Sequence, residues 1–162
     1  MEDYYELFLY NRGFRNKVTY RFSDVRNLLR ELVQKKWLRN IEIDLWFTPL
    51  LRIRLVLTNY DLAIRGYYGN SSVCVGAKER RITNYHLNYE DDPYLAAMLA
   101  SHITDMFFEI LSDKEVKASF NSAKDKYTVL TDAVNVLRMS WFPTVEYLYI
   151  TKMINCNLHI RS

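Results

Sequence analysis

The stretch IEIDLWFTPLLRIRLVLTNYDLAIR, residues 41–65, decides the fold that we expect for this chain. Its first two segments, 41–47 and 51–58, alternate apolar residues with charged ones, and the shorter segment 61–65 follows at once. Alternation with a period of two is typical of strands that bury one face and expose the other. Because only a few residues separate the segments, the stretch predicts an antiparallel meander. Residues 73–77 (VCVGA) add a further strand after a turn rich in Gly, Asn and Ser.

The residues on both sides of this meander predict one more strand and four helices. Residues 16–22 (NKVTYRF) are rich in β-branched and aromatic side chains, which favours a strand, and Ser23 is placed to cap the helix that follows. Asp92 and Pro93 are typical of a helix start, after a predicted loop over 78–92. The helices are expected over 24–37, 94–112, 123–138 and 144–155, with the last two divided at Pro143.

Strands early in the chain and helices late predict an α+β fold. We expect a mixed, mainly antiparallel sheet over residues 16–77, with the first helix burying Leu28, Leu29 and Leu32 against it. A chain of 162 residues is long enough to bury a core of its own, so we expect a single domain spanning 1–162.

Composition and charge narrow the functional classes only slightly. The formal net charge of +3 permits an anionic partner but does not require one. With only 4 Gly in the chain, neither of the glycine-rich patterns that hold nucleotide phosphates occurs. Cys74 and Cys156 lie far apart and the histidines are scattered, so we expect no metal site and no cofactor.

The N-terminal residues bear on where the protein acts. The segment MEDYYELFLY has acidic residues where a signal peptide carries Lys or Arg, which predicts a cytoplasmic protein. No apolar stretch approaches the roughly 18–20 residues that cross a bilayer, so we expect no membrane partner.

Basic residues concentrate along the meander and beyond it. The six residues are Arg52, Arg54, Arg65, Lys78, Arg80 and Arg81. Together they could form a strip that contacts RNA phosphates. A solvated sheet face explains Arg52 and Arg54 equally well.

Four segments, in this order, resemble the N-terminal portion of a ribosome-inactivating protein, the plant-type rRNA N-glycosylase family. They are VTYRFSDVRNLLRELVQKK, with its Leu29-Arg30 pair, LVLTNYDLAIRGYYGNSSVCVGA, FNSAKDKYTVL and FPTVEYLYITKMI. The order and spacing of the segments carry the resemblance, since none of them is specific alone. It implies the family's α+β fold, removal of an adenine from large-subunit rRNA, inhibition of translation, and rRNA or the ribosome as partner.

The resemblance also implies that two tyrosine rings hold the unstacked adenine. Tyr127, in FNSAKDKYTVL, matches the second ring of the family. The position of the first ring falls on Val73 or on Ala63, depending on the alignment, so Tyr67 or Tyr68 is the candidate for it. We therefore expect Tyr127 to border a cleft beside the central strands, with one of these two rings facing it at stacking distance.

The catalytic turn of the family does not match this chain. The family carries Glu-Ala-x-Arg, in which the carboxylate steadies the sugar cation and the arginine meets the charge on the departing base. Cys156 stands at the glutamate position and His159 at the arginine position, and Glu146 lies nearly three turns upstream. The resemblance thus implies a shortened or diverged member with an incomplete catalytic set, and the catalytic residues stay unknown.

Three functions are therefore open from the sequence. The chain is an rRNA N-glycosylase, active or weakened; a non-catalytic RNA- or protein-binding α+β module on the same scaffold; or an unrelated α+β interaction module.

Overall fold

The computed structural model describes the backbone of residues 4–11, 14–36, 41–58, 61–78, 81–88 and 91–161. Side chains are described over a smaller part, which is 21, 23–34, 42–58, 61–78, 87–88, 91–151, 153 and 154. Among the described residues, seven strands and one short helix lie in the N-terminal part and the longest helices come last, so the chain has the α+β fold that its sequence predicts.

The strands form two antiparallel sheets. The first joins β1 (Tyr4–Asn11) to β2 (Phe14–Arg21). The second has five strands in chain order, and every neighbouring pair is antiparallel. These strands are β3 (Ile41–Trp46), β4 (Leu51–Leu57), β5 (Leu62–Tyr68), β6 (Ser71–Gly76) and β7 (Arg81–His86).

Strand β4 shows why these residues form a two-faced sheet. Its four alternate residues Leu51, Ile53, Leu55 and Leu57 are fully buried, and the residues between them are only partly covered. Side chains on a strand point to opposite faces in turn, so one face of the sheet is apolar and the other carries arginines. The apolar alternation predicted over 51–58 is therefore confirmed.

The two longest helices cover the apolar face of the large sheet. Helix α1 (Phe22–Glu31) continues into a π-helical turn (Leu32–Lys36), and α2 is Pro93–Leu111, α3 Lys114–Ser119 and α4 Lys124–Arg161. Helix α2 lies against β4, β5 and β6, and α4 packs along α2.

By length and composition α2 could cross a membrane, yet most of its apolar residues are buried inside this domain.

One glycine lets α2 approach the sheet closely. A Cβ placed on Gly66 of β5 would lie 2.7 Å from the carbonyl oxygen of Ala96 in α2. Contacts that short do not occur for real Cβ atoms, and here the obstacle is backbone. The helix and the strand therefore pack at a distance that only glycine allows at this position.

The predicted start of α2 is confirmed. Asp92 Oδ1 accepts a hydrogen bond of 3.2 Å from the backbone N–H of Leu95, and Pro93 occupies the first turn. The cap predicted at Ser23 is wrong, because α1 begins at Phe22 and Ser23 lies inside its first turn. In α1, Leu29 and Leu32 are buried and Leu28 partly so, but this helix packs chiefly against α2 instead of against the large sheet.

Other predicted boundaries are also corrected. Strand β2 pairs with β1 and not with the meander, and the loop predicted over 78–92 contains β7. The two last helices are one helix, because α4 passes through Pro143 without a break. Trp141 and Thr144 are buried on either side of that proline, so packing holds the segment helical although proline removes a backbone hydrogen bond.

Candidate functional site

Three residues with planar side chains meet on the solvent-facing side of the five-stranded sheet. Trp46 lies directly opposite Arg52, and Arg52 lies directly opposite Tyr67, on the neighbouring strands β3, β4 and β5. Opposed residues of antiparallel strands project to the same face. The three side chains therefore form a continuous row across the sheet.

Within this row the guanidinium of Arg52 lies over both rings. Its central carbon is 4.0 Å from the centre of the Tyr67 ring and 5.1 Å from the centre of the Trp46 ring. Both distances are within the range in which a ring face attracts a cation. Trp46 nevertheless keeps 60% of its surface exposed, so most of its indole remains open to a ligand.

Two more arginines surround the Tyr67 ring. The guanidinium carbon of Arg54 lies 6.0 Å from the ring centre and that of Arg65 lies 5.8 Å from it. Arg65 Nη1 donates a hydrogen bond of 3.2 Å to the Tyr67 hydroxyl, which is the main cause of the raised pKa of Arg65. We name the five residues Trp46, Arg52, Arg54, Arg65 and Tyr67 the Arg–aromatic face.

A carboxylate on β3 holds two of these arginines in place. Asp44 accepts two hydrogen bonds from Arg54, of 2.9 Å from Nε and 3.2 Å from Nη2, and lies 3.6 Å from Nη1 of Arg52. The bond from Arg54 and the charges of both arginines lower the pKa of Asp44, and the same contact raises the pKa of Arg54. Asp44 thus orients the arginines and cancels part of their charge.

The predicted basic strip is only partly assembled. Arg52, Arg54 and Arg65 come together, but Lys78 lies beyond the other end of β6, where its backbone N–H is bonded to Asp61. Arg65 is opposed to Cys74 on β6, and Lys78 lies four residues further along the chain, in the turn after that strand. Arg80 and the side chain of Arg81 lie outside the described residues.

The three tyrosines predicted to bind substrate lie in three different places. Tyr67 belongs to the Arg–aromatic face, whereas Tyr68 projects to the opposite face and packs against the core. Burial, followed by the charges of Asp92 and Asp91, raises the pKa of Tyr68. Tyr68 lies near the start of α2, because Gly66, two residues earlier on the same face of β5, lies against Ala96 of that helix.

Tyr127 lies at the other end of α2. Its hydroxyl donates a hydrogen bond of 2.6 Å to the carbonyl oxygen of Leu111, the last residue of that helix, and its ring packs against Phe120. A helix of 19 residues is about 27 Å long. Tyr127 therefore does not face Tyr68 at stacking distance, and Tyr67 is on the far side of the sheet. A substrate role for each ring stays a prediction.

The positions aligned with the catalytic pair lie near the end of α4. The backbone of Cys156 and His159 is helical, and their side chains lie outside the described residues. Glu146 is exposed on the same helix. Among the residues that the structure describes, no group of three or more His, Cys, Asp and Glu side chains could hold a metal ion.

Reasoning from the sequence did not single out Trp46 and Asp44. The signal was present, because four residues join β3 to β4 and an antiparallel pairing across them sets Trp46 against Arg52 and Asp44 against Arg54. Pairing the predicted strands explicitly would have placed both residues beside the arginines.

No protein-family model, no curated protein and no solved structure matches this chain. The resemblance to ribosome-inactivating proteins therefore stays a prediction.

Proposed function

We propose that this chain is a non-catalytic RNA-binding module and that it binds RNA through its Arg–aromatic face. The observation that supports this most is the guanidinium of Arg52 lying over the rings of Trp46 and Tyr67, with two further arginines around the second ring. Rings and arginines alternate on one exposed surface, which suits a ligand whose own planar and anionic groups alternate.

The chemistry of each residue type fits such a ligand. A base that stacks on an aromatic side chain gains about 1–3 kcal/mol, and an arginine can pair with a phosphate through two parallel hydrogen bonds. Asp44 occupies only two donors of Arg54, and a guanidinium has five, so donors remain for a phosphate. Binding should also weaken with salt, because each neutralised phosphate releases counterions.

The test is the affinity of the purified chain for a fluorescently labelled RNA at several salt concentrations. We expect Arg52→Gln to weaken binding and to make its dependence on salt shallower by about one phosphate contact. Arg138→Gln is the matched control, since Arg138 is an exposed arginine on α4 that lies over Phe108 and pairs with Asp105. Equal losses from both variants, or no binding by the unchanged protein, would contradict the proposal.

A further inference from the structure

We infer that the Arg–aromatic face takes two neighbouring unpaired nucleotides and so selects single strands over duplexes. One base stacks on Trp46, and its neighbour stacks on Arg52 where this guanidinium lies on the Tyr67 ring. Arg54 and Arg65, which oppose each other two residues away along β4 and β5, contact the phosphates. This inference rests on the proposed function and names the form of nucleic acid that the site takes.

The spacing of the strands separates the two stacking positions. Trp46 and Arg52 are opposed on adjacent strands, and Tyr67 is opposed one strand further. Both stacking positions project from one face of the sheet, and the guanidinium carbon of Arg52 lies 5.1 Å from the centre of the Trp46 ring. They therefore lie side by side, whereas successive bases of a duplex lie one above the other, about 3.4 Å apart, and cover each other's faces. Two neighbouring bases reach both positions only when they are unstacked, as in single strands and loops.

The exposure of the face agrees with this assignment. Trp46 is 60% exposed at the end of β3, and Leu50, in the connection that follows, is 55% exposed. The backbone N–H of Gly69 donates to the carbonyl of Leu50, so the β3–β4 and β5–β6 connections are joined at this end of the sheet. The bases of a duplex are enclosed in its stack, so they can contact this exposed end of the sheet only after leaving the stack.

The experiment compares four competitors of one sequence for the labelled RNA: single-stranded RNA, single-stranded DNA and the two duplexes. We expect either single strand to bind at least about tenfold more tightly than its duplex. Trp46→Ala should weaken single-strand binding by roughly 5- to 150-fold and leave duplex binding unchanged. Trp46→Phe, which keeps a ring, should restore most of the loss.

Phe142→Ala is the matched control, because Phe142 is a 72% exposed ring on α4 and lies outside the Arg–aromatic face. Far-ultraviolet circular dichroism checks that each variant is folded. If duplexes bind as tightly as single strands, or if Trp46→Ala weakens both alike, the single-strand inference fails while RNA binding stands. If the unchanged protein binds none of the four competitors, the proposed function fails as well.

Discussion

Asp44 has two opposite effects on the Arg–aromatic face. Its carboxylate orients Arg54 and Arg52, and it also occupies donors that a phosphate would use. An exposed ion pair of this kind stabilises a protein by about 0.2–1 kcal/mol, so the stability at stake is small. Its effect on the binding of an anionic ligand is more direct, because the carboxylate competes with that ligand for the same arginine donors.

We expect Asp44→Asn to raise the affinity for RNA by a few-fold at low salt. The substitution removes a negative charge beside two arginines and leaves the strand pairing intact. A fluorescence anisotropy titration at low and high salt measures the change. Asp132→Asn is the control, because Asp132 is an exposed carboxylate on α4, outside the Arg–aromatic face. An affinity that falls in Asp44→Asn would contradict competition between Asp44 and phosphate.

The same substitution should alter stability in acid. The pKa of Asp44 is lowered in the folded chain, so its stabilising contribution is present above the ordinary aspartate pKa of about 3.9. That contribution disappears as the pH falls through the lower pKa of the folded state. Urea unfolding at pH 7 and near pH 3 should therefore show a smaller loss of stability for Asp44→Asn than for the unchanged protein. Identical losses would show that the pairing of Asp44 with its arginines does not contribute to the pH dependence of stability.

At the scale of elements, α2 is the centre of the domain. Its buried side includes Leu95, Leu99, Ile103 and Phe107, and it contacts the large sheet, α1 and α4. The distance between α2 and the sheet is set where Gly66 meets the backbone of Ala96. A small change there should affect the whole domain.

We expect Gly66→Ala to lower the free energy of unfolding by about 1–3 kcal/mol, as overpacked core substitutions do. The new methyl group would meet a backbone carbonyl in α2, which cannot move without displacing the helix. Denaturant unfolding measures the loss. Ala63→Ser is the comparison, because Ala63 is on the same strand but projects to the other face. A Gly66→Ala protein as stable as the original would contradict the close approach of α2 and β5.

Helix α4 offers a test of a boundary that the sequence predicted wrongly. Proline inside a helix is about 3 kcal/mol less favourable than alanine, and Pro143 is exposed, so its replacement leaves no hole in the core. We expect Pro143→Ala to stabilise the domain by about 1–3 kcal/mol, measured by thermal or denaturant unfolding. If the chain instead formed two helices with a break at residue 143, the substitution would leave the free energy of unfolding nearly unchanged or lower it slightly.

At the scale of the whole molecule, the predicted adenine-binding cleft and the observed architecture differ. Tyr68 and Tyr127 lie at opposite ends of α2, and Tyr67 lies across the sheet from both. The structure therefore brings Tyr127 to stacking distance of neither Tyr67 nor Tyr68, the two rings predicted to face it. The Arg–aromatic face uses Tyr67 in a different setting, surrounded by arginines.

The purified protein is expected to release adenine from ribosomes far more slowly than an intact ribosome-inactivating protein. The residues aligned with the catalytic pair are Cys156 and His159, and the loss of one such electrostatic group typically costs about 10²–10³ in rate. The two losses act on one transition state, so they need not add fully. An adenine-release assay on ribosomes measures the rate. Rapid turnover would refute the alignment, and Glu146→Gln would then be the first variant to assay.

A large part of the fold could be predicted because it depends on local patterns. The apolar alternation of β4 identifies a two-faced strand, and the capping carboxylate of Asp92 before Pro93 identifies the start of α2. Strand β7 was missed because its six residues include only one aliphatic side chain, and an edge strand can fold with little apolar pattern.

The sequence by itself determined which residues of the meander are apolar and which are charged, and therefore which face of each strand is buried. Only the tertiary structure decided that Trp46, Arg52 and Tyr67 lie in one row, because their register depends on pairing between strands that are apart in the chain. It also decided that α4 continues through Pro143, since the packing of residues such as Trp141 outweighs the local cost of a proline. The hydrogen bond from Tyr127 to Leu111 also depends on the tertiary structure, because Leu111 belongs to another helix and no local sequence pattern predicts the contact.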